Sequence, residues 1–392
     1  MKNIITTCLV MLGMIFSASA QKPNYKIKAN IKGLNSNEIE YRLENEKYPE
    51  GKWVKFKMQK DHFTYEGNVS EPTLIYFNFN DNAVRKYSSP AKNGYFMSHV
   101  SLLGFIASPN SSITVKGKAS DFINAYPSGD FENETLSKLN SKLHPILNKS
   151  MNVLRDMNDK SLSEAKKLAF NAKKTALDKE ANKIKLAFVK KHISSIAGLS
   201  TFRSIIGDLI SIDEAPRYFK MISAKYKTSR YYTALMERYN GLKEERSSLD
   251  RTKLGTAVPE IITSDTYDGK EFNLKSLRGK YVLLDFWGTW CGACVNGMPS
   301  MKAFRDKHAD KFQIVGIAKE SRNTKAWKNL ISSRNFNWPQ LLVGKAKHDY
   351  VKIFGVSAFP TKILINPEGK IILRHVGEEP EFYNELEKLI TK

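Results

Sequence analysis

The sequence predicts a multidomain chain in which a C-terminal α/β domain follows a small antiparallel β domain and a helical region. Three observations carry this. Short alternating runs punctuated by Gly and Pro fill residues 21–125, an apolar period of three and four fills residues 126–250, and residues 251–392 alternate strand with helix. With 392 residues and 41% hydrophobic content, the chain has material for two or three cores, since single domains usually hold about 100 to 200 residues.

Residues 1–20 read as a secretory signal peptide: Lys2 supplies the positive start, Ile4 to Phe16 the apolar run, and Ala18-Ser19-Ala20 a small-residue cleavage site before Gln21. The alternative is a retained membrane anchor, but the run is shorter than the roughly 20 residues a spanning helix needs. Membrane association is therefore expected only through an uncleaved N-terminus. Cys8 sits inside the apolar run after Thr6-Thr7, without the small residue that precedes a lipidated cysteine, and is expected to leave with the signal peptide.

In the first region Tyr25 to Ile31 alternates, as do Ile113 to Val115, with His62 to Gly67 and Leu74 to Phe79 between them. Gly33, Gly51, Gly67, Pro72 and Pro109 separate these runs, which predicts short antiparallel strands. In the second region Leu162, Ala165, Leu168, Ala169 and Ala172 recur at helical spacing and Leu177, Ile184, Ala187 and Phe188 continue the stripe. Further helices are expected through Ala215, Phe219 and Ile222, and through Tyr231, Leu235 and Tyr239, all as core-facing stripes.

After the charged stretch Lys243 to Arg251, the last region reads as strand Tyr281–Trp287, helix Cys294–Asp310, strand Phe312–Ala318 and helix Trp327–Arg334. A strand pair, Lys362–Ile365 and Ile371–His375, then crosses the Asn366-Pro367-Glu368-Gly369 turn, and helix Glu381–Ile390 closes the chain. This order suits a central sheet with helices on both faces.

The net charge of +22 admits an acidic partner, an anionic membrane surface or nucleic acid. Lysines are spread along the chain and mixed with acids, with no dense basic block beside stacking aromatics, so a solvated surface is expected and no nucleic-acid partner.

Once Cys8 is removed, Cys291 and Cys294 are the remaining cysteines, and a bridge across two residues closes too small a loop to stabilise much by chain entropy. The pair looks chemical. It stands where a buried strand ends and a helix begins, and the helix N-terminus stabilises a thiolate on Cys291 through unpaired N–H groups and the helix dipole. Cys291 can then attack a substrate disulfide, and Cys294, one turn on, can resolve the mixed disulfide. Zinc is the rival for such a pair, but a structural site needs four ligands and the seven His residues are scattered. No metal and no cofactor beyond the redox pair are expected.

From about Leu254 to Lys392 the chain resembles the thioredoxin superfamily, specifically the TlpA/ResA-like envelope thioredoxins. The resemblance rests on Trp287-Gly288-Thr289-Trp290-Cys291, on Met298-Pro299 and on Phe359-Pro360-Thr361. The preceding region, with Phe63-Thr64-Tyr65-Glu66-Gly67, resembles a poorly characterised β domain that often precedes such modules. The resemblance implies a thioredoxin-like fold and a cis peptide before Pro360. It implies that Trp290, Gly292, Ala293, Phe359 and Thr361 contact substrate. It also implies that Asp285 is the buried acid that takes the Cys294 proton, the alternative being a strand-end carboxylate paired with Lys. Glu320 resembles a carboxylate held near the active site, or is a surface-loop residue. Ala293 stands where Pro is frequent, so its N–H is expected to point at the Cys291 sulfur.

The function expected from this is extracytoplasmic thiol-disulfide exchange on envelope proteins, reductive by resemblance, with an upstream electron donor or acceptor. A thiol peroxidase is one alternative, although Gly288 and Trp287 replace the Thr and neighbouring residues of a peroxide cradle. A partner-binding protein with secondary redox activity is another.

Overall fold

A computed structural model describes residues 22–43, 54–96, 98–159, 161–320, 324–343, 349–379 and 381–391. The expected signal peptide, its cleavage site and Cys8 lie outside the described residues. The chain forms two compact units, divided between Met236 and Glu237.

The first unit begins with a β-sandwich built from β1 (Tyr25–Lys32), β2 (Glu38–Leu43), β3 (Val54–Lys57), β4 (His62–Gly67) and β5 (Thr73–Phe79). The short β6 (Lys86–Tyr87) and β7 (Tyr95–Phe96) pair with each other, and β8 (Leu102–Ala107), β9 (Ser111–Lys118) and β10 (Tyr126–Ser128) complete it. One sheet has the order β10-β9-β1-β4 and the other β3-β2-β5-β8. Ile27, Phe63, Phe77 and Phe105 fill the space between them, with aromatic rings meeting edge to face at 4.8 Å for Phe77 and Phe105. The pairs are antiparallel except β1 with β9, which run parallel from Tyr25↔Ser111 onward. Alternation alone does not distinguish the two senses, and the long connection between these strands permits the parallel one.

Helices α1 (Phe131–Met157), α2 (Glu164–His192), α3 (Ile196–Ile205), α4 (Ala215–Met221) and α5 (Arg230–Arg251) follow. Strands β5 and β8 are buried along their whole length, on both faces, because this helical layer covers the side turned away from the sandwich core. Asn133 in the first turn of α1 seals the edge of β8: its side chain accepts the Ile106 N–H at 2.9 Å and donates to the Ile106 carbonyl at 2.8 Å. The Tyr231 hydroxyl oxygen of α5 accepts the Leu74 N–H at 2.6 Å. Glu132 is buried and accepts from the Ile196 N–H and the Tyr226 hydroxyl, at 2.9 and 2.7 Å, tying α1 to the later helices.

One helical stripe departs from expectation. Leu177, Phe188 and Val189 of α2 are buried, but Ala165, Leu168, Ala169 and Ala172 are exposed, Leu168 to 68%. That half of the stripe is mostly alanine methyls, which offer little apolar area to bury.

In the second unit, the pair β11 (Ile262–Thr263) and β12 (Phe272–Asn273) precedes β13 (Tyr281–Trp287), α6 (Gly292–Lys307) and β14 (Phe312–Lys319). Then come α7 (Thr324–Ser333), β15 (Gln340–Val343), α8 (Tyr350–Ile353), β16 (Thr361–Ile365), β17 (Ile371–Val376) and α9 (Glu381–Ile390). The sheet order is β15-β14-β13-β16-β17, parallel across β13, β14 and β15 and antiparallel across β13, β16 and β17. Side chains alternate between its two faces. Leu283, Ile314 and Leu364 pack under α6 and α9 with Met298, Phe304 and Phe382, while Leu284, Val315 and Ile363 pack on the other side with Tyr350 and Phe354. Helix α6 starts at Gly292 and stops at Lys307, so the expected Cys294–Asp310 boundaries shift by a few residues at each end.

Candidate active site

Between β13 and α6 the chain turns through Gly288, Thr289, Trp290 and Cys291, and neighbours pin each part of the turn. Thr289 donates its N–H and its hydroxyl to the two carboxylate oxygens of Glu320, at 2.7 and 3.0 Å. The Trp290 indole N–H donates to the Lys319 carbonyl at 2.9 Å. Gly288 makes the close approach possible, since a Cβ there would lie 2.5 Å from Trp290 Nε1. Glu320 therefore lies at the site and acts on the turn rather than standing on a free surface loop.

Cys291 occupies the N-cap of α6 and is joined to Cys294 by a disulfide. Both cysteines are buried, Cys291 at 8% exposure and Cys294 at 1%, so Cys291 is the outer residue of the pair. The donor to Cys291 Sγ is the Cys294 N–H, at 3.2 Å, and not the N–H of Ala293. An N-cap acceptor reaches the amide of the second or third helical residue, and here it takes the third. Gly292 and Ala293 form the exposed first turn beside the pair.

The Phe359–Pro360 peptide is cis. Phe359 stacks edge to face on Trp290 with ring centres 5.2 Å apart and packs against the cluster that contains both cysteines, which brings the proline loop to the cysteine turn. Trp290 remains 59% exposed. Thr361, by contrast, is buried and its hydroxyl donates to the Ala358 carbonyl at 2.7 Å, so its side chain braces the loop. A separate cleft of about 780 Å³ is lined by Glu244, Ser248, Lys319, Gly355 and Ser357 and includes neither cysteine nor Pro360.

Beneath the turn lies a buried charged cluster. Asp285 shares the face of β13 carrying Leu283 and Trp287, which pack with Cys294 and Met298. It is 1% exposed, and neither carboxylate oxygen has a hydrogen-bond partner among the described residues. Lys362, its cross-strand partner on β16, places Nζ 3.7 Å from Asp285 Oδ1 and pairs closely with Glu378. The Tyr383 hydroxyl donates to Glu378 at 2.9 Å. Burial pushes the Asp285 carboxyl up to about 6, against the pull of the Lys362 ammonium and with some help from the Glu378 charge. Burial and the nearby Glu378 hold the Tyr383 phenol well above its usual range.

Lys362, Glu378 and Tyr383 escaped the sequence reading. The signal for Lys362 was a lone cation in the apolar run Thr361 to Ile365; Glu378 and Tyr383 carried none, because only the folded register brings them together.

Sheet order, the flanking helices and a cysteine pair opening the helix after the central strand define a thioredoxin-fold oxidoreductase. The Redoxin family matches residues 253–390. The chain is 31% identical over 147 residues to the thiol-disulfide oxidoreductase ResA of Bacillus cereus, covering 37% of this chain and 82% of that protein. It is 34% identical over 135 residues to ResA of Bacillus subtilis, covering 34% of this chain and 72% of that one. Among solved structures, the thioredoxin domain of a thiol-disulfide oxidoreductase from Bacteroides vulgatus is 30% identical and spans 35% of this chain and 98% of that domain, with a TM-score of 0.33. The chain belongs to the ResA-like thiol-disulfide oxidoreductases of the thioredoxin superfamily.

Proposed function

We propose that this oxidoreductase works outside the cytoplasm, reducing disulfides of cell-envelope proteins through Cys291 and Cys294, with residues 251–392 as the catalytic domain. The observation that carries this is the disulfide-linked pair at the start of α6, with Cys291, the less buried residue, seated at the N-cap. Cys291 attacks the client disulfide as a thiolate and Cys294 displaces the client from the resulting mixed disulfide. Asp285 accepts the Cys294 proton, Glu320 holds the turn, and Trp290, Phe359 and the backbone at Pro360 receive the client segment. An upstream dithiol donor then resets the pair, and no other cofactor takes part. Supporting an envelope location are the expected signal peptide at residues 1–20 and the relationship to ResA.

The test is trapping in the native host. A Cys294→Ser chain should accumulate mixed disulfides on Cys291, identifiable by mass spectrometry as exported proteins, and Cys291→Ser should accumulate none. A folded Cys294→Ser protein that traps nothing, or traps only cytoplasmic proteins, defeats the proposal.

A further inference from the structure

Gly297, one turn beyond Cys294 in α6, leaves a notch. A Cβ at this position would lie 2.0 Å from the carboxyl carbon of Glu378, which comes from the segment between β17 and α9. Glu378 fills the notch, pairs with Lys362 and accepts the Tyr383 hydroxyl, while the same hydroxyl lies 3.3 Å from the Gly297 carbonyl. The side chain is 15% exposed, whereas Asp285 and Lys362 are each 1% exposed. Of these three charged groups Glu378 is thus the nearest to water, and it competes with Asp285 for a single ammonium.

We propose that Glu378 is a positioning residue for the exchange reaction: held in the Gly297 notch, it draws Lys362 away from Asp285 and so keeps Asp285 an effective proton acceptor for Cys294. This rests on the assignment of Asp285 as that acceptor. In the resolving step the Cys294 thiol gives its proton to Asp285, and its sulfur bonds to Cys291 as the bond from Cys291 to the client sulfur breaks. The client leaves as a thiolate and takes up a proton, so the client gains two electrons and the enzyme pair loses two.

The groups facing Asp285 define what titrates with it. Cys291 and Cys294, at the start of α6, pack on the strand face that Asp285 shares with Leu283 and Trp287; Lys362 comes from β16, Glu378 from the β17–α9 segment and Tyr383 from α9, and Gly316, its partner on β14, carries no charge. His375, opposite Lys362 on β17, is engaged by Glu379 at 2.6 Å. With the Glu378 charge removed, repulsion on Asp285 disappears and Lys362 is free to move onto it. Both effects favour the ionised carboxylate.

The full chain, reduced and loaded on Cys291 with thionitrobenzoate, releases the coloured thiol when Cys294 attacks, which isolates the resolving step. Its rate should show a transition with pH that Glu378→Gln moves about one unit to the acid side, the size expected of a charge at this range. Gly297→Ala should move it the same way, because it expels Glu378 without altering any titratable group, and it serves if the first variant does not fold. Asp285→Asn should lack the transition, and adding Glu378→Gln to it should change nothing further. If Asp285→Asn keeps the transition, the acceptor assignment beneath the proposal is wrong. If Asp285→Asn removes it while Glu378→Gln and Gly297→Ala leave it in place, the role of Glu378 is overturned.

Discussion

Asp285 and Lys362 face each other across the β13–β16 ladder with charged atoms 3.7 Å apart, too far for a hydrogen bond, and each is 1% exposed. Burying the ionised carboxylate without a hydrogen-bond partner among the described residues costs stability. The Asp285 carboxyl has a folded value of about 6 against an ordinary 3.8, so the folded state holds this proton more tightly than the unfolded chain. The stability that this proton contributes is fully present below the ordinary value and is lost as pH rises through about 6. Asp285→Asn should therefore gain stability relative to wild type on going from pH 3.5 to 7.5, by on the order of 2–3 kcal/mol. Urea unfolding at several pH values measures this, and a pH-independent difference contradicts it.

Glu320→Ala removes two acceptors from Thr289, leaving the turn before Cys291 unpinned. The expected loss is about 1–2 kcal/mol of stability, typical of charge-assisted hydrogen bonds in a partly exposed setting. Exchange should slow as well. Glu320→Gln, which retains acceptor oxygen, should recover part of the rate; equal rates for both variants would show that the clamp does not matter to catalysis.

Trp290→Ala should separate stability from recognition. The ring is 59% exposed, and its contact with Phe359 is worth about 0.5–1.5 kcal/mol, so the midpoint of unfolding should move little. Steady-state kinetics with a protein disulfide should show a raised KM, while a small aromatic disulfide, which needs no extended contact, should react at nearly the wild-type rate.

Much of the redox unit was legible because its signals are local. The apolar run Tyr281–Trp287, the two cysteines three residues apart and Phe359-Pro360-Thr361 each announce themselves within ten residues. The charged cluster did not, because it joins β13, β16, the segment after β17 and α9 through tertiary register. The Ala293 amide was misassigned for a smaller reason: whether an N-cap sulfur takes the second or third amide depends on local dihedrals. In the first unit β1, β4, β5 and β9 were legible in the sequence, but β2, β3, β8 and β10 were not, and neither was the parallel partnership of Tyr25–Lys32 with Ser111–Lys118. Leu168 and its neighbouring alanines show the converse, a helical period with no core behind it.

Asn133→Ala tests the junction of sheet and helix in the first unit. It leaves the Ile106 N–H and carbonyl without their partners at a sheet edge, at an expected cost of about 2–3 kcal/mol. Sedimentation should also detect self-association of the variant as the opened edge becomes available for strand pairing. A monomer of unchanged stability would count against this account.

The two-sided burial of β5 and β8 bears on how this protein can be cut and how it came to be joined. A fragment ending at residue 125 would turn Leu74, Tyr76 and Ile106 outward, an oily strip that invites clumping. The sandwich is consequently not a detachable bead on a string. Shuffling by recombination, like truncation at the bench, should preserve solubility only where sheets and helical cover travel together.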